Sequence, residues 1–266
     1  MKFDEIHKIL NIIAPEQLQE NWDNSGIQIC VNHDTDIKKI LTCLEINEKV
    51  IVEAVEKKID MIVTHHPLIF GKFSNIDYNN ITGNNIISLI SKGISVYSSH
   101  TAFDSALNGT NQYLAESLNM ENITPMIPAD IEGCGMGRFG EYKSPINLNI
   151  LISKLLKVCG KTDLRIAGAV PDKISKIGLC TGAGAEFIEL AAKNDCDVYI
   201  TGDVKYHDAR LADDITLCVI DAGHYGTEVI FAENMALQLQ ELLSEDVKVV
   251  PSATDIYPFK DTTTFK

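Results

Sequence analysis

The chain predicts an α/β protein: two similar α/β lobes, residues 1–125 and 126–266, set around one shared cleft. Three observations lead there. Apolar runs of strand length alternate with stretches of helical periodicity, the pattern of a mostly parallel, helix-covered sheet. A stretch rich in Pro and Gly, residues 120–137, interrupts that alternation near the middle. Three strand-like runs also end in metal-binding side chains: His65-His66, His100 with Asp104, and His224 with Glu228. In open α/β sheets ligands collect beyond the carboxyl ends of the strands. Parallel neighbours would therefore bring these three ends together.

The elements follow in order. Phe3, Ile6, Ile9, Leu10 and Ile13 recur at helical spacing, and Pro15 limits that helix. Trp22-Asp23-Asn24-Ser25-Gly26 reads as a turn into a short strand over 27–30. A strand over 40–46 precedes a helix over 49–58, with Val50, Ile51, Ala54 and Val55 on its apolar face. The strand ending in His65-His66 leads through an Asn- and Gly-rich loop to a helix near 84–92. A strand ending near His100 and a helix over 110–118 complete the first series. Residues 120–137 read as an irregular domain junction or long crossover. In the second series, strands fall near 137–142, 164–170, 176–181, 198–201 and 216–221. Helices fall near 147–158, 185–193, 204–212 and 225–243.

Composition narrows the function classes. A net charge of −14 disfavours broad nucleic-acid binding, which needs basic surface to displace counterions. No apolar run approaches the roughly 20 residues of a membrane span, and the N-terminus has no apolar secretion core. Seven cysteines, odd in number and without a C-x-x-C pair, read as free thiols of a reducing compartment. A cytoplasmic protein is expected.

The chemistry lies in the strand ends. Side chains of neighbouring extended residues point to opposite sides, and Pro67 biases His66 toward that geometry. One metal cannot easily take both His65 and His66, whereas two metals can. On a helix starting after Gly223, His224 and Glu228 share one face, and the two oxygens of Glu228 could bridge two ions. His100 and Asp104 have the same separation and offer a carboxylate ligand with a supporting imidazole. Each feature has a plain structural reading: a strand-end histidine is usually a turn or cap residue, and Glu228 could be a first-turn carboxylate. Three such segments at strand ends together favour a metal site. In Gly202-Asp203-Val204-Lys205-Tyr206-His207, Asp203 reads as a helix cap, Lys205 could hold an anion and His207 could shuttle a proton. The amides of Thr181-Gly182-Ala183-Gly184 could also hold an anion, although Phe187 breaks the dinucleotide-binding glycine pattern.

These segments together resemble the family of GTP cyclohydrolase 1 type 2 homologues, also called NIF-three-like proteins. The matching stretches are Ala14-Pro15 with Trp22-Asp23-Asn24-Ser25-Gly26-Ile27-Gln28, and Thr64-His65-His66-Pro67-Leu68-Ile69-Phe70. Ser99-His100-Thr101 with Asp104, then Gly202 to His207, and Asp221 to Glu228 follow in order, with Pro258-Phe259 a weaker match. The resemblance implies a two-lobed fold with a dinuclear metal site and no inserted middle domain. It implies His65, His66, Asp104, His224 and Glu228 as ligands of two divalent ions, Glu228 bridging. A split with His66 and Asp104 on one ion, and His65 and His224 on the other, goes with it. A homohexamer built from dimers is also implied. Zinc, manganese or iron suit imidazole and carboxylate. The expected activity is metal-dependent hydrolysis of a nucleotide or other small anion, including ring opening of GTP, with Lys205, His207 and His100 as catalytic candidates. The alternative is a non-enzymatic metal-holding or protein-interaction scaffold.

Overall fold

The computed structural model describes residues 1–160 and 164–260. Residues 161–163 and 261–266, parts of the expected second lobe, lie outside the described residues. The class is the expected one, a mixed α/β fold, and its strands form two sheets.

The first half runs α1 (Phe3–Ile13), β1 (Gly26–Ile29), β2 (Lys39–Cys43), α2 (Glu48–Glu56), β3 (Met61–Thr64), α3 (Ile81–Ser91), β4 (Ser95–Ser98), α4 (Thr101–Ser105) and α5 (Thr110–Ser117). The second half runs β5 (Glu121–Pro128), β6 (Gly135–Ile146), α6 (Leu148–Cys159), β7 (Arg165–Ala167), β8 (Ile174–Leu179), α7 (Ile188–Lys193) and β9 (Val198–Thr201). It continues with α8 (Tyr206–Asp214), β10 (Cys218–Asp221), α9 (His224–Glu228), α10 (Phe231–Leu242) and β11 (Lys248–Pro251).

The first sheet has the order β1-β4-β3-β2-β11, and the second β5-β6-β8-β9-β10-β7. In the first, β4, β3, β2 and β11 are mutually parallel and β1 pairs antiparallel at the edge. In the second, β8, β9 and β10 are parallel, flanked by antiparallel neighbours. Every residue of β3, β4, β9 and β10 is buried, as a strand covered on both faces requires.

Packing explains the helices. α1 turns Phe3, Ile6, Leu10 and Ile13 inward against Phe231, Met235 and Leu239 of α10 and Val63 of β3. Full burial of a side chain such as Leu10 contributes about 1.5–3 kcal/mol. α2 and α3 cover the opposite face of that sheet with Val50, Ala54, Ile86 and Leu89. In the second sheet, Leu114 of α5 and Leu151 and Leu155 of α6 pack on Ile177, Ile200 and Ile220, while Ile188 and Ala212 lie with Tyr199 and Val219.

Three expectations change. Residues 120–137 are not an irregular junction: β5 and β6 pair antiparallel, with Thr124 opposite Phe139 and Ile127 opposite Met136. Pro125 and Pro128 sit on the edge strand, where a missing N–H is tolerated. The expected helix over 225–243 is two helices, α9 and α10, parted at Val229-Ile230. Lys248–Pro251, not anticipated as a strand, pairs in parallel with β2. β5 thus runs across residue 125, and the first sheet draws strands from both ends of the chain. Among the described residues no helix is long and apolar enough to cross a membrane, and all seven cysteines are free thiols.

Candidate metal centre

β3 and β4 are parallel neighbours in register, Thr64 opposite Ser98, so His65-His66 and His100 leave the first sheet at the same end. From the second sheet, β10 ends at Asp221, and Gly223 turns the chain at φ 76° into the single turn of α9. That helix delivers His224 and Glu228 to the same place. Asp104 arrives on α4, directly after His100.

Glu228 is the common member. Its Oε1 lies 3.6 Å from Nε2 of His65, and its Oε2 lies 2.9 Å from Nε2 of both His66 and His224. Asp104 Oδ1 stands 3.6 Å from His65 Nε2. Donor atoms of His65, Asp104 and Glu228 lie within 4.8 Å of one another, as do those of His66, His224 and Glu228, and those of His65, His66 and His100. The first pair of groups differs from the split implied by resemblance: Asp104 falls with His65, and His66 falls with His224.

Each imidazole is held from behind. His65 Nδ1 donates to the Ser99 carbonyl at 2.9 Å. His224 Nδ1 pairs with Asp203 Oδ2 at 2.8 Å, and His100 Nδ1 with Asp23 Oδ1 at 2.8 Å. His66 Nδ1 has Glu45 Oε2 at 3.6 Å. Such partners fix the ring and its tautomer and turn the other nitrogen toward a metal. Asp104 accepts from Thr110 Oγ1 and, at 3.4 Å, from Thr181 Oγ1.

The electrostatics follow from four imidazoles and two carboxylates crowded into a largely buried cluster. Burial alone would push the Glu228 carboxyl up, but His65, His224 and His66 hold it well below the carboxylate range. Burial would lower both imidazoles, yet contact with Glu228 carries His66 up to about 10, with help from Glu45, and His224 up to about 9, with help from Asp203. Burial and the neighbouring Glu228 charge raise Asp104, against the pull of His65. Protons on His66 and His224 therefore do in part what cations would do. Nε2 of His65 is buried without a hydrogen-bond partner, 3.6 Å from oxygens of Asp104 and Glu228, and Nε2 of His224 stands 2.9 Å from Glu228 Oε2 without good hydrogen-bond alignment. A buried imidazole nitrogen left unpaired costs about 1–3 kcal/mol. Both nitrogens face carboxylate oxygens, so the residues present fit divalent ions.

Two compartments open onto this cluster. One, of 630 Å³, has Phe70, Phe73, Pro67 and Leu68 on its walls and His66, His100 and His224 on its floor. The other, of 760 Å³, is bordered by Arg165, Asp203, Tyr225, Tyr257 and Phe259, again with His66 and His224. Among the described residues, the lysine and arginine side chains that border these compartments are Arg165 and Lys260, both on the second.

The structure brings His65, His66, His100, Asp104, His224 and Glu228 together. It does not bring Lys205 or His207 there: both are exposed at the start of α8, and neither borders a compartment. Asp203 is not the helix cap; Asp208 accepts from the Lys205 amide at 2.9 Å, and Asp203 serves His224 instead. The amides of Gly182 and Gly184 are not open to an anion, since they donate to Thr227 Oγ1 and Thr201 Oγ1 at 2.9 Å each. Gly182 matters for another reason. At φ 70° it lies so close that an added Cβ would sit 2.1 Å from Glu228 Oε1. Sequence reasoning missed Asp23, Glu45 and Asp203 as imidazole partners. The available signal was a carboxylate in each loop following or facing a histidine-bearing strand end.

The fold and site together define a mixed α/β protein of two sheets, with buried His/Asp/Glu groups able to hold a metal ion. The chain belongs to the Duf34/NIF3 (NGG1p interacting factor 3) family, whose model matches residues 1–258. A GTP cyclohydrolase 1 type 2 homolog of Clostridium perfringens is 35% identical over 262 residues, covering 98% of this chain and 99% of that protein. Among solved structures, reduced HcgD from Methanocaldococcus jannaschii matches with a TM-score of 0.82 at 30% identity, over 96% of this chain and 98% of that one. A Bacillus cereus protein related to NIF3 shares the fold with a TM-score of 0.90 at 21% identity, over 98% of this chain and 99% of that one.

Proposed function

We propose that this chain holds two divalent transition-metal ions between two α/β lobes and uses them as a hydrolase of a nucleotide or other small anionic substrate. The observation that carries the reading is Glu228, which offers one oxygen to His65 and the other to His66 and His224. His65, Asp104 and Glu228 would hold one ion, and His66, His224 and Glu228 the other. Ions held there would supply Lewis-acid activation of water and of a substrate oxygen.

The residues divide the work. His65, Asp104 and Glu228 are all buried, whereas His66 and His224 border both compartments. Protein closes the first group, as in structural sites, while the second is open on the cleft, as catalytic sites require. A substrate reaching His66 and His224 can place an anionic group toward Arg165 and Lys260 and an apolar part against Phe70 and Phe73. The name GTP cyclohydrolase 1 type 2 homolog carried by the C. perfringens relative is consistent with a nucleotide substrate.

The test is reconstitution. Elemental analysis should find about two ions per chain, and metal-loaded protein should turn over a member of a panel of nucleotides, phosphoesters and cyclic amidines. A second reading, a metal-holding scaffold, is favoured by the burial of the His65, Asp104 and Glu228 group. It predicts full metal loading with no turnover across that panel. We carry a cytoplasmic hexamer as part of the proposal. The free thiols suit a reducing compartment, and light scattering at micromolar concentration reads the assembly.

A further inference from the structure

The first compartment has two unlike ends. His66, His100 and His224 form the end at the cluster, and the starts of α2 and α3 form the other. Between them Phe70 and Phe73 border the compartment with 58% and 37% of their surface exposed. Aromatic faces left open along one concave wall mark a ligand groove, whereas apolar residues scattered singly over a surface do not. Phe70 is also held in place. The Ile69 carbonyl accepts from Asn24 Nδ2 at 2.7 Å, and the Ile69 amide donates to Gln28 Oε1 at 3.0 Å. Gln28 Nε2 in turn donates to the Asn24 carbonyl at 2.7 Å. Trp22 stands edge to face with Phe70, ring centroids 6.2 Å apart, and with His100 at 5.9 Å. The turn over 22–26 thus fixes the Phe70 ring, and a platform fixed beforehand loses little freedom when a flat ligand covers it.

Asn85 supplies a second, independent feature. On α3 it falls among the buried residues with Ile86 and Leu89, and it is only 7% exposed. Asn is a poor helix former, and a polar group at a buried helix position is costly unless it finds a partner. Its carboxamide makes no hydrogen bond to protein among the described residues. It borders the compartment where this meets a groove between α2 and α3. A carboxamide sets a donor beside an acceptor and so matches the edge of a nucleobase, as when Asn pairs with the amino group and ring nitrogen of adenine. Glu45 and Glu48 border the same compartment, and among the described residues no lysine or arginine does. Carboxylates accept from a base amino group and repel an anionic group. The lining therefore suits the neutral, amino-bearing ring of a nucleotide and not its phosphate.

We infer that the first compartment seats an amino-bearing nucleobase, stacked on Phe70 and read at its edge by Asn85, with the anionic end of the same ligand in the second compartment. The inference rests on the proposed anionic substrate of this cleft and requires neither turnover nor a particular metal. Trp22 acts through Phe70 and is a positioning residue.

The experiment titrates the full chain, metal-stripped and metal-loaded, with AMP, UMP and ribose 5-phosphate by calorimetry. Trp22 is the single tryptophan of the chain, so its emission reports the same events. AMP should bind about tenfold or more tighter than ribose 5-phosphate, the range of one base stacked on an aromatic ring, and about tenfold tighter than UMP, whose ring lacks an amino group. Only the nucleotides should change the Trp22 emission. Phe70→Ala should remove the advantage of AMP over ribose 5-phosphate and leave the affinity for ribose 5-phosphate unchanged. Asn85→Leu, which keeps the buried volume, should weaken AMP about tenfold and bring it level with UMP. Metal content should not move in either variant. Thermal melting identifies a variant that has lost its fold. In that event NMR of the unaltered protein decides: the Asn85 side-chain amide should shift with AMP and stay still with ribose 5-phosphate. Equal affinities for AMP and ribose 5-phosphate, no AMP binding in either metal state, unchanged AMP affinity in folded Phe70→Ala and Asn85→Leu, or an Asn85 amide indifferent to AMP overturns the inference. Two bound ions with turnover of a phosphoester that has no base would then leave the proposed hydrolase standing. Base-dependent AMP binding by a chain that takes up no metal would remove the hydrolase and keep the base seat.

Discussion

β9 and β10 lie side by side and parallel, and each leads through a short turn into a helix, with a carboxylate and a histidine within that turn or helix. After β10 both ligand-type residues of α9 turn inward: Glu228 is buried, and His224 faces it at 2.9 Å. After β9 only Asp203 touches the cluster, from an exposed position, through His224 Nδ1, and Lys205 and His207 face solvent. The first turn makes the difference. Gly223 takes a positive φ with an extended ψ of 142°, which sends α9 into the seam between the sheets. Asp203 takes φ 53°, a left-handed conformation that Asp tolerates, and the chain leaves the seam before α8 begins. Residue types at the end of a strand therefore nominate a site, and the direction of the next two residues decides membership.

The largest expected effect breaks the inward segment. Glu228→Gln should cut metal content from about two ions per chain to below one by elemental analysis, because both proposed groups share that carboxylate. A variant that keeps both ions would remove Glu228 from the centre. The metal-free protein gives an independent readout. His66 and His224 titrate above their ordinary 6.5 in the folded state, at about 10 and about 9. Their stabilisation is fully present below about pH 6.5 and is lost as pH rises through 9 to 10. Melting temperature of stripped protein should fall over that window, and Glu228→Gln should flatten the fall.

Gly182→Ala should come next. The new methyl meets Glu228 Oε1, and the backbone is left-handed at φ 70°. Strain of this kind costs about 1–3 kcal/mol, and metal loading should drop with it. Wild-type melting and loading would show that the loop yields. Asp203→Ala sharpens the comparison from the β9 side, since it leaves His224 Nδ1 without its partner. Metal affinity should fall roughly 10-fold or more, in line with other lost supports behind a liganding histidine. Competition titration decides it.

The smallest effects belong to the outward pair. Lys205→Ala and His207→Ala should leave metal content unchanged and stability within about 0.5 kcal/mol, as for most surface substitutions. Should either lower turnover tenfold once a substrate is known, the start of α8 acts on substrate after all, and the contrast between the two strand ends is one of metal binding alone.

Much of this was legible in the sequence. Alternating apolar runs identified β3, β4, β9 and β10 because strands buried on both faces are continuously apolar. The residues that line the cluster were legible because imidazole and carboxylate at strand ends have few other reasons to coincide. The hairpin of β5 and β6 was hidden because prolines and glycines mark both junctions and edge strands, and local pattern does not separate them. Asp203 and Asp23 were read as cap and turn residues because their roles depend on contacts 21 and 77 residues away. Lys205 and His207 were nominated by position relative to β9, and nothing local reports which way a helix departs.

The return of β11 to the first sheet bears on how the protein is made. Its neighbour β2 is synthesised early, but its final pairing edge arrives only with Lys248–Pro251. The strap beyond it locks in the same way: the Ala253 amide reaches the Glu53 carboxylate at 2.9 Å across 200 residues. At synthesis rates of about 5–20 residues per second, β2 would wait roughly 10–40 s for that partner. The nascent segment thus carries an open strand edge, and three of the four clustered histidines, until β11 is made. The proposed metal centre is completed only once His224 and Glu228 have followed β10, so on that proposal ion capture comes after the second sheet has been synthesised and not in early folding.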